Sequence, residues 1–121
     1  MAGSRYVLAA ALLLAPSGAL AKVKPEIGIA SWYGIAMNGR LTASGTAFDR
    51  QRLTAAHRTL PLGSVIEVTN RRNGRKVIVT VTDRGPLRKD RIIDLSPAAA
   101  AVLGFRHKGL TKVEIRPAPF E

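Results

Sequence analysis

The alternation of hydrophobic and polar positions predicts a chain built mainly from short β-strands. Two segments rich in β-branched residues, 65–69 (VIEVT) and 76–82 (KVIVTVT), alternate with the period of two typical of a half-buried strand. Shorter apolar or mixed segments predict four more strands at residues 28–33, 53–56, 92–95 and 112–116. Between the first two strands, the Asn73–Gly74 pair predicts a hairpin turn in which both residues have positive φ angles.

One helix is well marked by its end signals. Ser96 is predicted as the N-cap, Pro97 occupies the first helical position, residues 98–103 favour a helix, and Gly104 ends it. Six short strands and one short helix predict an all-β fold. We expect a small closed barrel, because closure removes exposed strand edges.

The first 21 residues have the pattern of a secretory signal peptide. Arg5 provides the positive charge, residues 6–15 (YVLAAALLLA) the apolar core, and residues 19–21 (ALA) the small residues that signal peptidase requires. The apolar core is too short to span a bilayer, and Pro16 would break a buried helix. We therefore expect cleavage after Ala21 and export to the periplasm or cell envelope.

The remaining chain divides into a short lead-in at residues 22–26, one domain at residues 27–116 and a tail at residues 117–121. The sequence contains no cysteine, so the exported domain is expected to be stable through packing without disulfides. The absence of cysteine also excludes a lipid anchor of the kind that is attached to an N-terminal cysteine. We therefore expect a soluble protein with no stable membrane anchor.

The chain is strongly basic. Its 19 Lys and Arg residues against 8 Asp and Glu give a net charge of +11, and loss of Arg5 with the first 21 residues leaves 18 − 8 = +10. Such a charge favours a polyanionic partner. Export argues against nucleic acid and points to envelope anions, including the carboxylates of peptidoglycan. A general role of the charge in solubility is equally compatible with the composition.

Nine short motifs follow one another along the predicted domain. In chain order they are GIASWYG (28–34), LTASG (41–45), FD (48–49), TAAH (54–57), TLPLG (59–63), VTN (68–70), NGR (73–75), DRGP (83–86) and RIIDLS (91–96). Together they resemble the double-psi β-barrel domain of the rare lipoprotein A family, which is related to expansins and barwin-type plant domains. Any one motif is weak, whereas the ordered set is specific. The resemblance implies a six-stranded double-psi β-barrel.

The resemblance also implies an activity, endolytic lytic transglycosylation of peptidoglycan. In this reaction the C6 hydroxyl of MurNAc attacks its own anomeric carbon, which cleaves the MurNAc–GlcNAc bond and leaves a 1,6-anhydro end. One carboxyl group can act as acid and base in turn, and no attacking water has to fit between two carboxylates. The expected partners are glycan strands poor in stem peptides, bound by a monomer. No cofactor is implied, and two isolated histidines make no metal-ligand set.

Two residues are candidates for catalysis. Asp83 matches the catalytic aspartate of the family and stands between a predicted strand and the turn that begins at Arg84; its alternative role is to cap that turn. His57 matches a groove histidine of the family and could orient Asp83 or share a proton with it. Its alternative role is that of a partly buried histidine bonded to a backbone carbonyl.

Six further residues are candidates for substrate binding: Tyr33, Ser44, Thr46, Asp49, Arg84 and Arg91. The family usually carries Glu where Thr46 stands, and a threonine forms hydrogen bonds but cannot transfer a proton at neutral pH. A non-catalytic, expansin-like module that binds glycan or loosens the wall is therefore the alternative function. Trp32 is expected to pack in the barrel, and Asp94 to bond backbone donors or pair with Arg91.

Overall fold

The computed structural model describes residues 24–33 and 38–119, which form a closed six-stranded barrel with a short helix. The elements in chain order are β1 (Glu26–Trp32), β2 (Thr54–His57), β3 (Val65–Asn70), β4 (Lys76–Asp83), β5 (Ile93–Leu95), α1 (Pro97–Leu103) and β6 (Thr111–Pro117). The predicted all-β barrel with one helix is confirmed for these residues. The predicted signal peptide at residues 1–21 lies outside them.

The strands follow one another around the barrel in the order β1-β5-β2-β4-β3-β6. The pairs β1–β5 and β2–β4 are parallel, and the other neighbours are antiparallel. No helix within residues 24–33 and 38–119 has the length and hydrophobicity that a transmembrane span requires.

The alternation predicted for the central strands places one face of each in the core. In β4, Val77, Val79 and Val81 are buried while the side chains between them are more accessible. Ile66 and Val68 of β3 do the same from the neighbouring strand. These β-branched side chains pack well on a pleated surface that is buried on one side.

Helix α1 begins and ends where its local signals predict. The Ser96 hydroxyl accepts a hydrogen bond from Ala99 N at 3.2 Å, Pro97 follows, and Gly104 ends the helix with a φ of 80°. The Ser96 hydroxyl also donates to the carbonyl of Arg52 at 2.6 Å. This bond ties the start of the helix to the segment before β2.

The connection between β3 and β4 lies where the sequence predicts it but differs in backbone conformation at Asn73. The loop comprises residues 71–75, Gly74 has a φ of 79°, and no non-glycine residue of the described chain has a positive φ. The prediction of a positive φ for Asn73 is therefore wrong. Its side chain accepts from Arg75 N at 2.9 Å and donates to the Leu103 carbonyl at 3.0 Å, which stabilises the loop.

A β-bulge at the end of β4 determines which way Asp83 points. Thr54 and Ala55 of β2 pair with Thr80 and Val81, but Ala56 pairs with Asp83, so the register shifts by one residue. Without the shift, alternation would direct Asp83 toward the core, as it does Val81. A bulge re-aims the side chain that follows it. Asp83 therefore lies on the outer face of the sheet, on the same side as Ala56.

Candidate active site

The carboxylate of Asp83 is half-buried and accepts three hydrogen bonds. Ala43 N and Arg84 N both donate to Oδ1 at 2.9 Å, and the Tyr33 hydroxyl donates to Oδ2 at 2.9 Å. An ionised carboxylate is a pure acceptor, and backbone N–H groups are pure donors. The three donors therefore hold the carboxylate of Asp83 in one orientation.

Tyr33 connects Asp83 to an aromatic contact. Its ring packs edge-on against Phe48, with centroids 4.7 Å apart and planes at 63°. Burial, then the hydrogen bond to Asp83 and the negative charges of Asp83 and Asp94, raise the pKa of Tyr33 far above its ordinary value. Tyr33 consequently keeps its proton through the neutral range and remains a donor to Asp83. The structure thus brings this predicted groove residue directly to Asp83.

Asp83 faces an open pocket of about 350 Å³, here called the Asp83 pocket. The lining residues are Ser31, Trp32, Tyr33, Asp83, Arg84, Gly85, Pro86, Leu87, Arg91 and Asp94. Trp32 also packs against the core, as predicted, and the guanidinium of Arg106 lies 5.6 Å from its ring centroid. The pocket thus combines two carboxylates with aromatic and cationic side chains. No metal-ligand cluster of three His, Cys, Asp or Glu is present in the described part of the chain.

The two predicted arginine ligands have different surroundings. The guanidinium of Arg84 donates to the carbonyls of His57 and Leu60 at 3.1 and 2.7 Å, so it is engaged by the backbone. Arg91 is half-buried, and its Nε is buried without a partner among the described residues. Of the two, Arg91 retains more capacity to bind an anionic group in the pocket.

Arg58, which no sequence motif singled out for a role of its own, holds the loop beside Asp83 in place. It donates to the carbonyls of Pro86 at 2.8 Å, Arg88 at 3.2 Å and Arg91 at 2.6 Å. Arg84 forms the opposite connection, from this loop to residues 57–60. The two arginines thus join the segment at the end of β2 to the loop that follows β4. This loop forms part of the rim of the Asp83 pocket.

His57 lies on the face of β2 opposite to Ala56, the residue that pairs with Asp83. The residue is 4% exposed. Its Nδ1 accepts from Thr59 N and Leu60 N at 3.1 Å each, and its Nε2 lies 2.8 Å from Glu26 Oε1. Because Nδ1 is an acceptor, the ring proton is on Nε2 and is donated to Glu26. The structure does not bring His57 and Asp83 together, since alternation along β2 turns Ala56 and His57 to opposite faces.

We predict that His57→Ala mainly destabilises the fold. Two backbone N–H groups would lose their acceptor, which costs about 1–3 kcal/mol in unfolding free energy. Denaturant unfolding measures this loss, and the activity of the folded protein should stay within a few-fold of the parent. His107→Ala, at an exposed histidine, is the matched control. Full stability combined with lost activity would contradict this role.

Three hydroxyl side chains form a cluster beside Asp83. Ser44 Oγ lies 2.9 Å from both Thr42 Oγ1 and Thr46 Oγ1, and Thr42 Oγ1 donates to the Thr46 carbonyl at 2.7 Å. The turn containing them also supplies Ala43 N to Asp83. Ser44 and Thr46 are exposed, so their hydroxyls are accessible to a ligand at this edge.

A second groove, of about 710 Å³, borders this turn and is here called the Asp49 groove. Its lining is Asn38, Gly39, Thr42, Thr46, Ala47, Phe48, Asp49, Arg50, Gln51, Arg52, Thr54 and Thr82. Asp49 accepts from Gln51 N at 2.9 Å and lies 3.9 Å from Arg52 Nε. Thr82 lines the groove while its neighbour Asp83 lines the Asp83 pocket, so the two cavities adjoin at the end of β4.

Comparisons with known proteins agree with this fold. The family model described as "Lytic transglycolase" matches residues 26–115. The chain is 50% identical over 99 residues to the endolytic peptidoglycan transglycosylase RlpA of Rickettsia felis, covering 79% of this chain and 43% of that protein. It is 52% identical over 89 residues to RlpA of Pseudomonas aeruginosa, covering 74% of this chain and 26% of that protein. The chain thus spans less than half of these relatives' lengths.

Solved structures share the barrel. The Streptomyces papain inhibitor superposes with a TM-score of 0.63 at 26% identity, covering 77% of this chain and 93% of the inhibitor. Apo Clavibacter michiganensis expansin superposes with a TM-score of 0.64 at 21% identity, covering 81% of this chain and 52% of the expansin, a likeness of fold alone. The sequence matches are the more specific finding, and they place this chain in the lytic transglycolase family, as an RlpA-like double-psi β-barrel.

Proposed function

We propose that this chain is an endolytic peptidoglycan lytic transglycosylase in which Asp83 is the proton-transfer residue. The observation that carries this proposal is the Asp83 carboxylate, turned outward by the bulge and oriented by three donors at an open pocket. The relatives named as transglycosylases support the same activity.

The reaction needs a base near the C6 hydroxyl of MurNAc and a proton for the leaving oxygen. Asp83 takes the C6 proton while O6 attacks C1. The C1–O4 bond breaks with its electron pair moving to O4, which takes up one proton from an acid at the site or from solvent, and the proton held by Asp83 then returns to solvent. The product is a 1,6-anhydro ring, and no water enters. General acid–base catalysis of this kind contributes about 10²–10⁴-fold.

The glycan strand is proposed to lie along the Asp83 pocket and the Asp49 groove. Ser44, Thr46 and Asp49 would bind sugar hydroxyls, and Tyr33 would orient Asp83. Arg91 would meet a carboxylate of the wall polymer, whereas Arg84 supports the backbone. We expect a monomer to suffice, because these groups come from one barrel, and we expect strands poor in stem peptides as substrate.

Incubation with purified sacculi, intact and treated with amidase, tests the activity. The parent should release soluble fragments, and more of them after amidase treatment. The alternative function is an expansin-like module that binds glycan without cleaving it, favoured by Thr46 at a position where the family usually has Glu. If the protein sediments with sacculi but releases no fragments from them, the alternative function is supported.

Thr46→Glu is predicted to raise cleavage. Thr46 Oγ1 is exposed beside the Asp49 groove, so a carboxylate there could accept a hydrogen bond from a sugar hydroxyl. A hydrogen bond to a charged group is worth about 1.5–3 kcal/mol, equivalent to roughly tenfold or more. Initial rates of fragment release measure the effect, and Thr46→Gln is the uncharged control. A lower rate for Glu than for Gln would contradict a helping carboxylate.

We infer that the protein is exported and that the first 21 residues are removed. Arg5, the apolar core of residues 6–15 and the small residues before Lys22 support this inference. N-terminal sequencing of the protein from the periplasm or cell envelope should begin at Lys22. An envelope-associated chain that retains Met1, or a chain found in the cytoplasm only, would contradict it.

A further inference from the structure

We propose that Asp94 is the second proton-transfer residue of the Asp83 site, supplying the proton to the leaving oxygen while Asp83 acts as the base. This inference deepens the proposed transglycosylase function and rests on it.

The pairing of four neighbouring strands places Asp94 and Asp83 in one row. Ser31 of β1 pairs with Asp94 of β5, Asp94 pairs with Ala56 of β2, and Ala56 pairs with Asp83 of β4. Directly paired residues direct their side chains to the same face. Two strand spacings separate the carboxylates' backbones by about 10 Å. Ala56 lies between them and is fully buried beneath the loop at Gly85.

Both carboxylates face the same cavity. Asp94 lines the Asp83 pocket, whereas its chain neighbours Ile93 and Leu95 are buried in the core. A Cβ added to Gly85 would lie 3.8 Å from Asp94 Oδ2 and 3.8 Å from Ala56 Cβ. The loop after Asp83 therefore passes close to Asp94 and brings both acidic groups to one rim.

The two carboxylates have hydrogen-bond partners of different kinds. Two of the three donors to Asp83 are backbone N–H groups, which can only donate. The described partner of Asp94 is the Ser31 hydroxyl, which donates to Oδ1 here. A hydroxyl can reverse its role and accept a proton from a carboxylic acid, so this partner serves both forms of Asp94.

No described cation neutralises Asp94. Neither Arg91 nor any other described lysine or arginine lies within the 4.0 Å ion-pair distance of its carboxylate. The predicted pairing of Asp94 with Arg91 is therefore wrong. An acidic group that has a reversible partner and faces a pocket is suited to deliver a proton.

The proton balance of the step is complete with these two groups. The protonated Asp94 gives its proton to O4 as the C1–O4 bond breaks, and the Asp83 carboxylate takes the C6 proton as the O6–C1 bond forms. Asp94 is left ionised and Asp83 protonated. Return of one proton from Asp83 to Asp94 through solvent restores the starting state. Two residues with separated roles replace one residue acting in turn.

Two substrates distinguish the proposed role of Asp94 from that of Asp83. Asp94→Asn should lower kcat on amidase-treated glycan by about a hundredfold or more while KM changes little. On a 4-nitrophenyl glycoside of GlcNAc–MurNAc, the same variant should retain most of the parent rate, because nitrophenolate departs without being protonated. Asp83→Asn should lose activity on both substrates, because the C6 hydroxyl still needs a base. Asp90→Asn, at an exposed aspartate paired with Arg88, is the control that keeps both activities.

The outcomes are distinguishable. A parent that forms no anhydro product from either substrate would overturn the proposed transglycosylase function itself. An active parent with an Asp94→Asn variant that keeps its rate on glycan, or that loses both substrates equally while folded, would overturn the acid role.

Discussion

Asp83→Asn is expected to lower the rate of glycan cleavage by about a hundredfold or more, the usual contribution of general acid–base catalysis. The amide oxygen can still accept from Ala43 N and Arg84 N, and the amide nitrogen can donate to the Tyr33 hydroxyl. The variant should therefore fold and bind sacculi like the parent while losing the group that takes the proton. The rate of anhydro-end formation measures the loss, and sedimentation with sacculi measures binding.

Asp90→Asn is the matched control for this experiment. It removes the same charge from the loop beside the site, at an exposed aspartate whose carboxylate is bonded to Arg88. Its rate should equal that of the parent. Equal cleavage by Asp83→Asn and the parent would show that another residue performs the proton transfer.

Asn70→Ala is expected to produce a large loss of stability, about 2–4 kcal/mol in unfolding free energy. Asn70 is 2% exposed, and its side chain joins three parts of the fold. It donates to the Leu103 carbonyl at 2.8 Å and accepts from Thr111 Oγ1 at 2.9 Å and from Arg72 N at 3.0 Å. Truncation leaves the buried Thr111 hydroxyl without its acceptor and the Leu103 carbonyl with the bond from Asn73 alone. Chemical denaturation measures the change.

Asn73→Ala provides the comparison, because Asn73 donates to the same Leu103 carbonyl at 3.0 Å from an exposed position. Its loss should be about 1 kcal/mol or less, the net value of an ordinary hydrogen bond. Equal effects of the two substitutions would mean that burial of the Asn70 network adds nothing to stability.

Local signals in the sequence predicted the helix and most strands of this barrel. The cap at Ser96, the stop at Gly104 and the alternation in β3 and β4 depend on neighbouring residues only, and the structure has them at those positions. The backbone conformation of Asn73 was missed, because its side chain bonds to the distant Leu103 carbonyl.

Asp83 could be predicted from the sequence as a candidate site residue, whereas the arrangement of the residues around it could be predicted less well. The outward direction of Asp83 depends on a register shift against Ala56, which involves a strand 27 positions earlier in the chain. His57 was expected near Asp83, but the face to which each side chain turns is set by that same pairing. The hydrogen bonds from Arg58 and Arg84 join residues that lie 24–33 positions apart in the chain, and no local sequence pattern predicts such bonds.

The central claim is that this barrel cleaves glycan by internal attack of the C6 hydroxyl. Mass spectrometry of the fragments released from amidase-treated sacculi in water enriched in oxygen-18 tests it most directly. The account predicts 1,6-anhydro ends that are lighter by one water than hydrolysis products and carry no oxygen-18. Reducing ends that contain oxygen-18, or sacculi that bind the protein and yield no new ends, would contradict it.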